Sequence, residues 1–146
     1  MLRFVKKDVR SIYEVDGSDD ASIAPLHGRR SWTRGSTTIA GEPIEFESGG
    51  RGQVSVVRAG SVVAQGAMER TEHRTTWDGP EIVSRRKGRR QFVAESDGRQ
   101  VGTVDLVGVA GRRIEADLPT DLPIEVRLLI SFMAIGAWNR AANSAL

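Results

Sequence analysis

A chain of 146 residues has the length of one domain and encloses one core rather than two. Its 21 Lys and Arg face 19 Asp and Glu, a net charge of +2, so bulk charge does not mark a nucleic-acid binder. The absence of Cys excludes a disulfide framework, a thiol nucleophile and Cys-ligated zinc or iron–sulfur sites, and it fits a reducing, cytoplasmic compartment.

The chain begins MLRFVKKDVRSIYEVDG, which is basic but holds no apolar run of signal-peptide length, so export by that route is not expected. Sixteen Gly with frequent Val, Ile and Thr describe a turn-rich β protein. SIYEVDG (11–17), WTRGSTTI (32–39) and PIEFES (43–48) are strand candidates, with Pro43 placed at a strand start or an edge. SDDASIAPLHGRR (18–30) reads as mixed strand and loop.

From there the spacing is that of an antiparallel meander. QVSVV (53–57) and SVVAQGAMER (61–70) flank Arg58-Ala59-Gly60, and PEIVSRR (80–86) and RRQFVAE (89–95) flank Lys87-Gly88. RQVGTVDLVGV (99–109) follows Asp97-Gly98, and RRIEADL (112–118) follows Ala110-Gly111. Such X-Gly pairs suit primed hairpin turns, because Gly accepts the positive φ they require.

After Pro123 no turn signal interrupts IEVRLLISFMAIGAWNRAANSA, and one helix is expected over about 122–143. Asp121 is the expected N-cap, Pro123 falls in the first turn, and Glu125 and Arg140 suit the positive and negative ends. Leu128, Leu129, Ile130, Phe132, Met133, Ile135 and Trp138 point in all directions at 100° per residue, so this helix has no polar face. Its uncharged run covers roughly 17 Å against the roughly 30 Å of a bilayer core. Three environments remain for it: an enclosing protein core, a membrane into which the tail inserts, and an oligomer contact. The length favours the first, with strands closed around the helix and the small residues Ser131, Ala134, Gly136 and Ala137 where they come close.

The series GRRSWTRGSTTIAGEPIEFES, FVAESDGRQVGTV and ADLPTDLPIEVRLLISFMAIGAWNRAA resembles the tubby C-terminal-like superfamily, which includes the LURP-one-related proteins and the phospholipid scramblases. Its best parts are Asp97-Gly98-Arg99 followed by Val101-Gly102, and Leu122-Pro123 ahead of the helix. The resemblance implies one domain over 1–146, a mainly β fold in which a closed antiparallel barrel of about twelve strands wraps a buried hydrophobic C-terminal helix. It also implies binding of anionic phospholipid or phosphoinositide headgroups.

SRRKGRR crowds Arg85, Arg86, Lys87, Arg89 and Arg90 around one expected hairpin tip, where they suit an anionic headgroup or phosphate. A solvated hairpin kept from edge pairing by its charge is the plainer reading of the same residues, and alternation leaves only part of the cluster on one face. His27 and His73 have no metal-ligand spacing, and Thr-Glu-His-Arg (71–74) reads as an exposed strand. Ser31, Ser61 and Ser84 lack a nucleophile elbow. The Asp19-Asp20 and Glu45/Glu47 pairs give no sign of convergence. Gly49-Gly50-Arg51-Gly52 lacks the Lys-Ser/Thr end of a phosphate-binding loop and reads as a turn, as does Trp77-Asp78-Gly79-Pro80. Trp32 and Trp77 suit either a binding surface or packing in the barrel, and packing is the favoured expectation because large aromatics usually bury area.

The expected function is a non-enzymatic binding module without metal or cofactor, cytoplasmic or peripheral at a membrane. Its expected partner is anionic phospholipid, a phosphoinositide or a protein. Nucleic-acid or transcription-linked binding through hairpin 84–90 is the alternative, and an enzyme ranks last because no catalytic set stands out.

Overall fold

The structure, a computed structural model, describes residues 1–7, 12–17, 22–29, 31–108 and 112–144, without the side chains of 143 and 144. In chain order its strands are β1 (Leu2–Lys6), β2 (Ile12–Gly17), β3 (Leu26–Arg29), β4 (Arg34–Ile39), β5 (Glu42–Gly50) and β6 (Gln53–Arg58). They continue as β7 (Ser61–Met68), β8 (Glu72–Trp77), β9 (Gly79–Arg86), β10 (Gln91–Ser96), β11 (Arg99–Val107) and β12 (Arg113–Asp117), followed by the helix α1 (Ile124–Ser144). Each strand pairs antiparallel with the next, and β1 closes on β12, so twelve strands form a closed barrel around one helix.

Local sequence explains the regular part. In β5, Ile44 and Phe46 point inward while Glu45 and Glu47 face solvent, the alternation of a wall with one dry face. Ala40-Gly41, Ala59-Gly60 and Asp97-Gly98 all take positive φ at both positions, which gives the twist of primed turns. Trp77 donates from its indole nitrogen to the Pro80 carbonyl at 2.8 Å, closing the turn expected there.

One segment departs from the sequence reading. No strand is expected over Leu2–Lys6, yet β1 supplies the closing strand, with Leu2 opposite Ala116 and Phe4 opposite Ile114. Among the described residues of 18–30, the mixed strand and loop expected there takes the form of the short β3, joined to β2 through Ile12↔His27 and Tyr13↔Leu26, and an isolated bridge from Ile23 to Ile39. The Asp19-Asp20 pair and the Ala110-Gly111 turn lie outside the described residues.

The helix begins at Ile124, and its N-cap is Pro123 rather than Asp121. The Pro123 carbonyl accepts from the amides of Val126 and Arg127 at 3.0 and 3.1 Å, while Asp121 stays exposed. Arg140 is not in the last turn, because the helix runs on to Ser144; it donates to the Ser31 carbonyl at 3.0 Å instead.

Every residue from Val126 to Gly136 is buried, so the wall surrounds the apolar run on all sides. Strand glycines make the room: a Cβ on Gly35 would lie 2.6 Å from the Phe132 ring, and one on Gly66 2.6 Å from Met133 Sδ. Small residues on the helix work the same way, since a Cβ on Gly136 would meet the Trp32 Cβ at 2.9 Å. Trp32 is buried in the barrel, as expected, and Trp77 packs against the core's margin. No helix among the described residues is long and apolar enough to cross a membrane.

Candidate functional site: a basic barrel mouth

In a closed meander, alternate connections share a mouth. The helix C-terminal end marks one of them: Trp138 donates to the Arg89 carbonyl at 2.9 Å, Arg140 reaches Ser31 and Met68, and Lys6 reaches Asn139 at 3.4 Å. The connections after β1, β3, β5, β7, β9 and β11 therefore converge there. Their described residues carry Lys7, Arg51, Arg70, Lys87, Arg89, Arg90 and Arg112 against a single carboxylate, Glu69. The described connections at the opposite mouth carry Asp78, Asp97 and Asp121 and no cation.

The barrel is thus polarised along its axis. The helix dipole runs the same way, its negative end at the basic mouth and its positive end beside Glu125. Roughly half an elementary charge at a helix terminus does not neutralise the excess of cations around it, so the mouth presents a net positive field.

The five cations singled out in the sequence divide. Arg85 is held on the outer wall, its guanidinium 2.7 Å from Glu72 and 3.4 Å from Glu95, and so is spoken for by carboxylates of β8 and β10. Arg86, Lys87, Arg89 and Arg90 make no ion pair with a described residue. Arg90 donates to the Gly108 carbonyl at 2.7 Å, which ties the β9–β10 tip to the β11–β12 connection. Arg86 lies over the Phe92 ring at 5.8 Å, within cation–π range.

Beside this tip a cleft of about 460 Å³ enters the mouth between the β7–β8 turn, β9 and α1. Arg70, Arg86 and Arg140 line it together with Glu69, His73 and Phe92. His73 is not on an exposed strand stretch, as Thr-Glu-His-Arg reads; it faces inward, 4% exposed, because β8 places it with the buried Thr75 on one face. Its ring stacks on Phe92 at 4.8 Å, and its Nδ1 has no hydrogen-bond partner among the described residues. Burial, then the positive charges of Arg140 and Arg86, pull its pKa down to about 4. Arg140 is itself lowered from its ordinary value by burial, yet an Arg keeps its charge.

The remaining polar candidates do not gather. Glu45 and Glu47 stand on the solvent face of β5, and His27 is exposed on β3. Among the described residues no three His, Asp or Glu side chains group as a metal site needs. A larger cleft of about 640 Å³ at the other mouth is lined by Val62, Val63 and Trp77 with Asp78 and Glu125, and brings no cation.

His73 makes stability depend on pH. In the unfolded chain it titrates near its ordinary value of 6.5, whereas the folded protein holds it neutral down to about 4. The unfolded state therefore binds the proton first, and stability, full above pH 6.5, falls as the pH drops toward 4. The whole effect is on the order of 3 kcal/mol. Urea unfolding at pH 7 and about 4.5 should show wild type losing about 2 kcal/mol more than His73→Phe; parallel losses in the two proteins would contradict a buried neutral imidazole.

No protein-family model, curated protein or solved structure matches the chain.

Proposed function

We propose that the protein is a non-enzymatic binding module that docks its basic mouth onto an anionic phospholipid surface. The observation that carries this reading is the collection of seven cations and one carboxylate among the described residues of the connections at one end of the barrel. The described turns 51–52, 69–71 and 87–90 are only two to four residues long, so their charges ring the mouth at similar heights. Such a ring meets a flat charged surface with many cations at once, where a single groove or stripe would track a nucleic-acid backbone. The resemblance of the sequence to the LURP-one-related and scramblase-like pattern supports the same reading.

Each cation near an anionic membrane gains about 1 kcal/mol. Vesicle flotation with phosphatidylcholine alone and with added phosphatidylserine should show binding only to the anionic vesicles, weakening as salt rises. Replacing Lys87, Arg89 and Arg90 by Gln should weaken it on the order of 100-fold. Wild type that ignores anionic vesicles at low salt overturns the proposal. So does tighter binding to DNA or RNA with a steep salt dependence that the same triple variant flattens, which would move the function to nucleic acid.

A further inference from the structure

We infer that the cleft at the acidic mouth, between β7, β8 and the start of α1, docks a short peptide segment of a partner protein that carries one large apolar side chain flanked by Lys or Arg. The basic mouth at the other end of the barrel takes no part in it.

Val62 is the most exposed large apolar side chain among the described residues, at 55%, and Val63 beside it is 37% exposed. Plain strand alternation would turn one of two neighbours inward. Here the pairing of β7 with β6 shifts: Val56 faces Ala64 and Val57 faces Val62, so Val63 is the extra residue of a bulge and both valines face out. β7 also overhangs β8. Their pairing ends at Ala64↔Trp77, so among the described residues Val62 has a strand partner on β6 alone, and its cleft side suits an extended chain.

Trp77 forms the aromatic wall of the cleft. Its indole N–H is tied to the Pro80 carbonyl at 2.8 Å, and its ring covers Gly79, where a Cβ would lie 2.3 Å away. A side chain already fixed in this way loses little freedom when a partner packs against it. Pro123 closes the cleft from the helix side, and Gln65 and Thr76 give it a polar rim. A small ligand inside would leave Val62 in water, whereas a peptide with its anchor beside Trp77 and its chain across β7 covers both valines.

Charge selects the flanking residues. The lining holds Asp78 and Glu125 and no cation. Asp78 is exposed and makes no ion pair with a described residue. Glu125 shares Arg58 with Glu42, so two carboxylates meet one guanidinium and one negative charge is left over. The positive end of α1 offsets only about half an elementary charge, and the exposed Asp121 adds a carboxylate on the connection leading into the helix. This field repels an anionic lipid surface and is complemented by Lys or Arg on a partner.

The test is selection from a displayed library of short random peptides on the full chain, followed by amide NMR with the enriched peptides as probes. They should carry Trp, Phe or Leu beside Lys or Arg and shift the amides of 62–65 and 76–78. Val62→Ser and Asp78→Asn, both at exposed positions, should keep the fold and each weaken binding about tenfold, and Asp78→Asn should also flatten its salt dependence. Val5→Ser, at an exposed valine on β1, should leave binding unchanged.

A selection that enriches no peptide overturns the site. Enriched peptides that are acidic, that shift amides elsewhere, or that bind Val62→Ser as tightly as wild type do the same. Sedimentation and vesicle flotation cover the other occupants: self-association lost in Val62→Ser gives the cleft to a second copy of the chain, and vesicle binding lost in it gives the cleft to lipid, either of which overturns the proposal. The Gln variant of Lys87, Arg89 and Arg90 should keep its peptides whatever happens to vesicle binding; loss of the peptides in that variant would move them to the basic mouth and overturn the proposal.

Discussion

Ile130→Asp and Phe132→Asp should each leave the whole domain unfolded. Both side chains are about fully enclosed, at 1% and 0% exposure. Phe132 stacks on Phe46 at 4.4 Å and meets Trp32 at 5.3 Å, so it joins the helix to β5 and to the β3–β4 turn. Removing a buried Phe costs about 3–5 kcal/mol in contacts and cavity. Placing a carboxylate there without a partner adds several kcal/mol more, whether it stays charged or takes up a proton. Together these reach or exceed the roughly 5–15 kcal/mol by which a domain is stable. Phe132→Leu, which keeps an apolar side chain in place, should remain folded with a loss of about 1–2 kcal/mol. Near-UV circular dichroism and amide dispersion distinguish the outcomes. An Asp variant that stays folded and loses only membrane association would mean that lipid, not the barrel, solvates this helix.

The strands and the enclosed helix follow from short-range chemistry, and that part of the fold is legible. Ala59-Gly60 and Asp97-Gly98, with positive φ at both positions, set two of the expected hairpins, whereas Lys87-Gly88 has positive φ at Gly88 alone within a four-residue connection; a helix apolar on every side but too short for a bilayer needs a closed wall. What escapes is whatever depends on long-range pairing. β1 is a five-residue basic segment whose partner, β12, lies at the other end of the chain, so nothing local announces it. Arg85 reads as one of a cluster of cations, yet the register places Glu72 opposite it.

The basic mouth was hidden for the same reason. Only Lys87, Arg89 and Arg90 fall within four consecutive residues; Lys7, Arg51, Arg70 and Arg112 are far from them and from one another in the sequence and meet only because alternate turns of a meander share one end. That rule was usable: once a closed meander is assumed, sorting every second turn by charge separates the basic mouth from the acidic one. His73 was also within reach, since alternation along β8 places it on the face of Thr75, away from Arg74.

Gly102→Ala should cost about 3 kcal/mol and lower the Tm by roughly 10 °C. Gly102 lies in β11 where the pairing with β10 shifts: Ala94 faces Gly102, and the next pair is Glu95 with Gln100. A Cβ on Gly102 would sit 2.3 Å from the Asp117 carbonyl oxygen and 3.1 Å from the Leu118 Cα. These are backbone atoms and cannot swing aside as the Met133 thioether can beside Gly66. Relief requires moving the end of β12, the point from which the chain passes through the buried Leu118 and Leu122 to the start of α1. The added methyl group thus displaces the connection that delivers the helix into the barrel, and the penalty should exceed that of Gly66→Ala by at least 1 kcal/mol. Paired urea titrations of the two variants measure the difference. Equal losses would mean that the wall yields as easily at a backbone contact as at a flexible side chain, and that the path into the barrel is not fixed by this close approach.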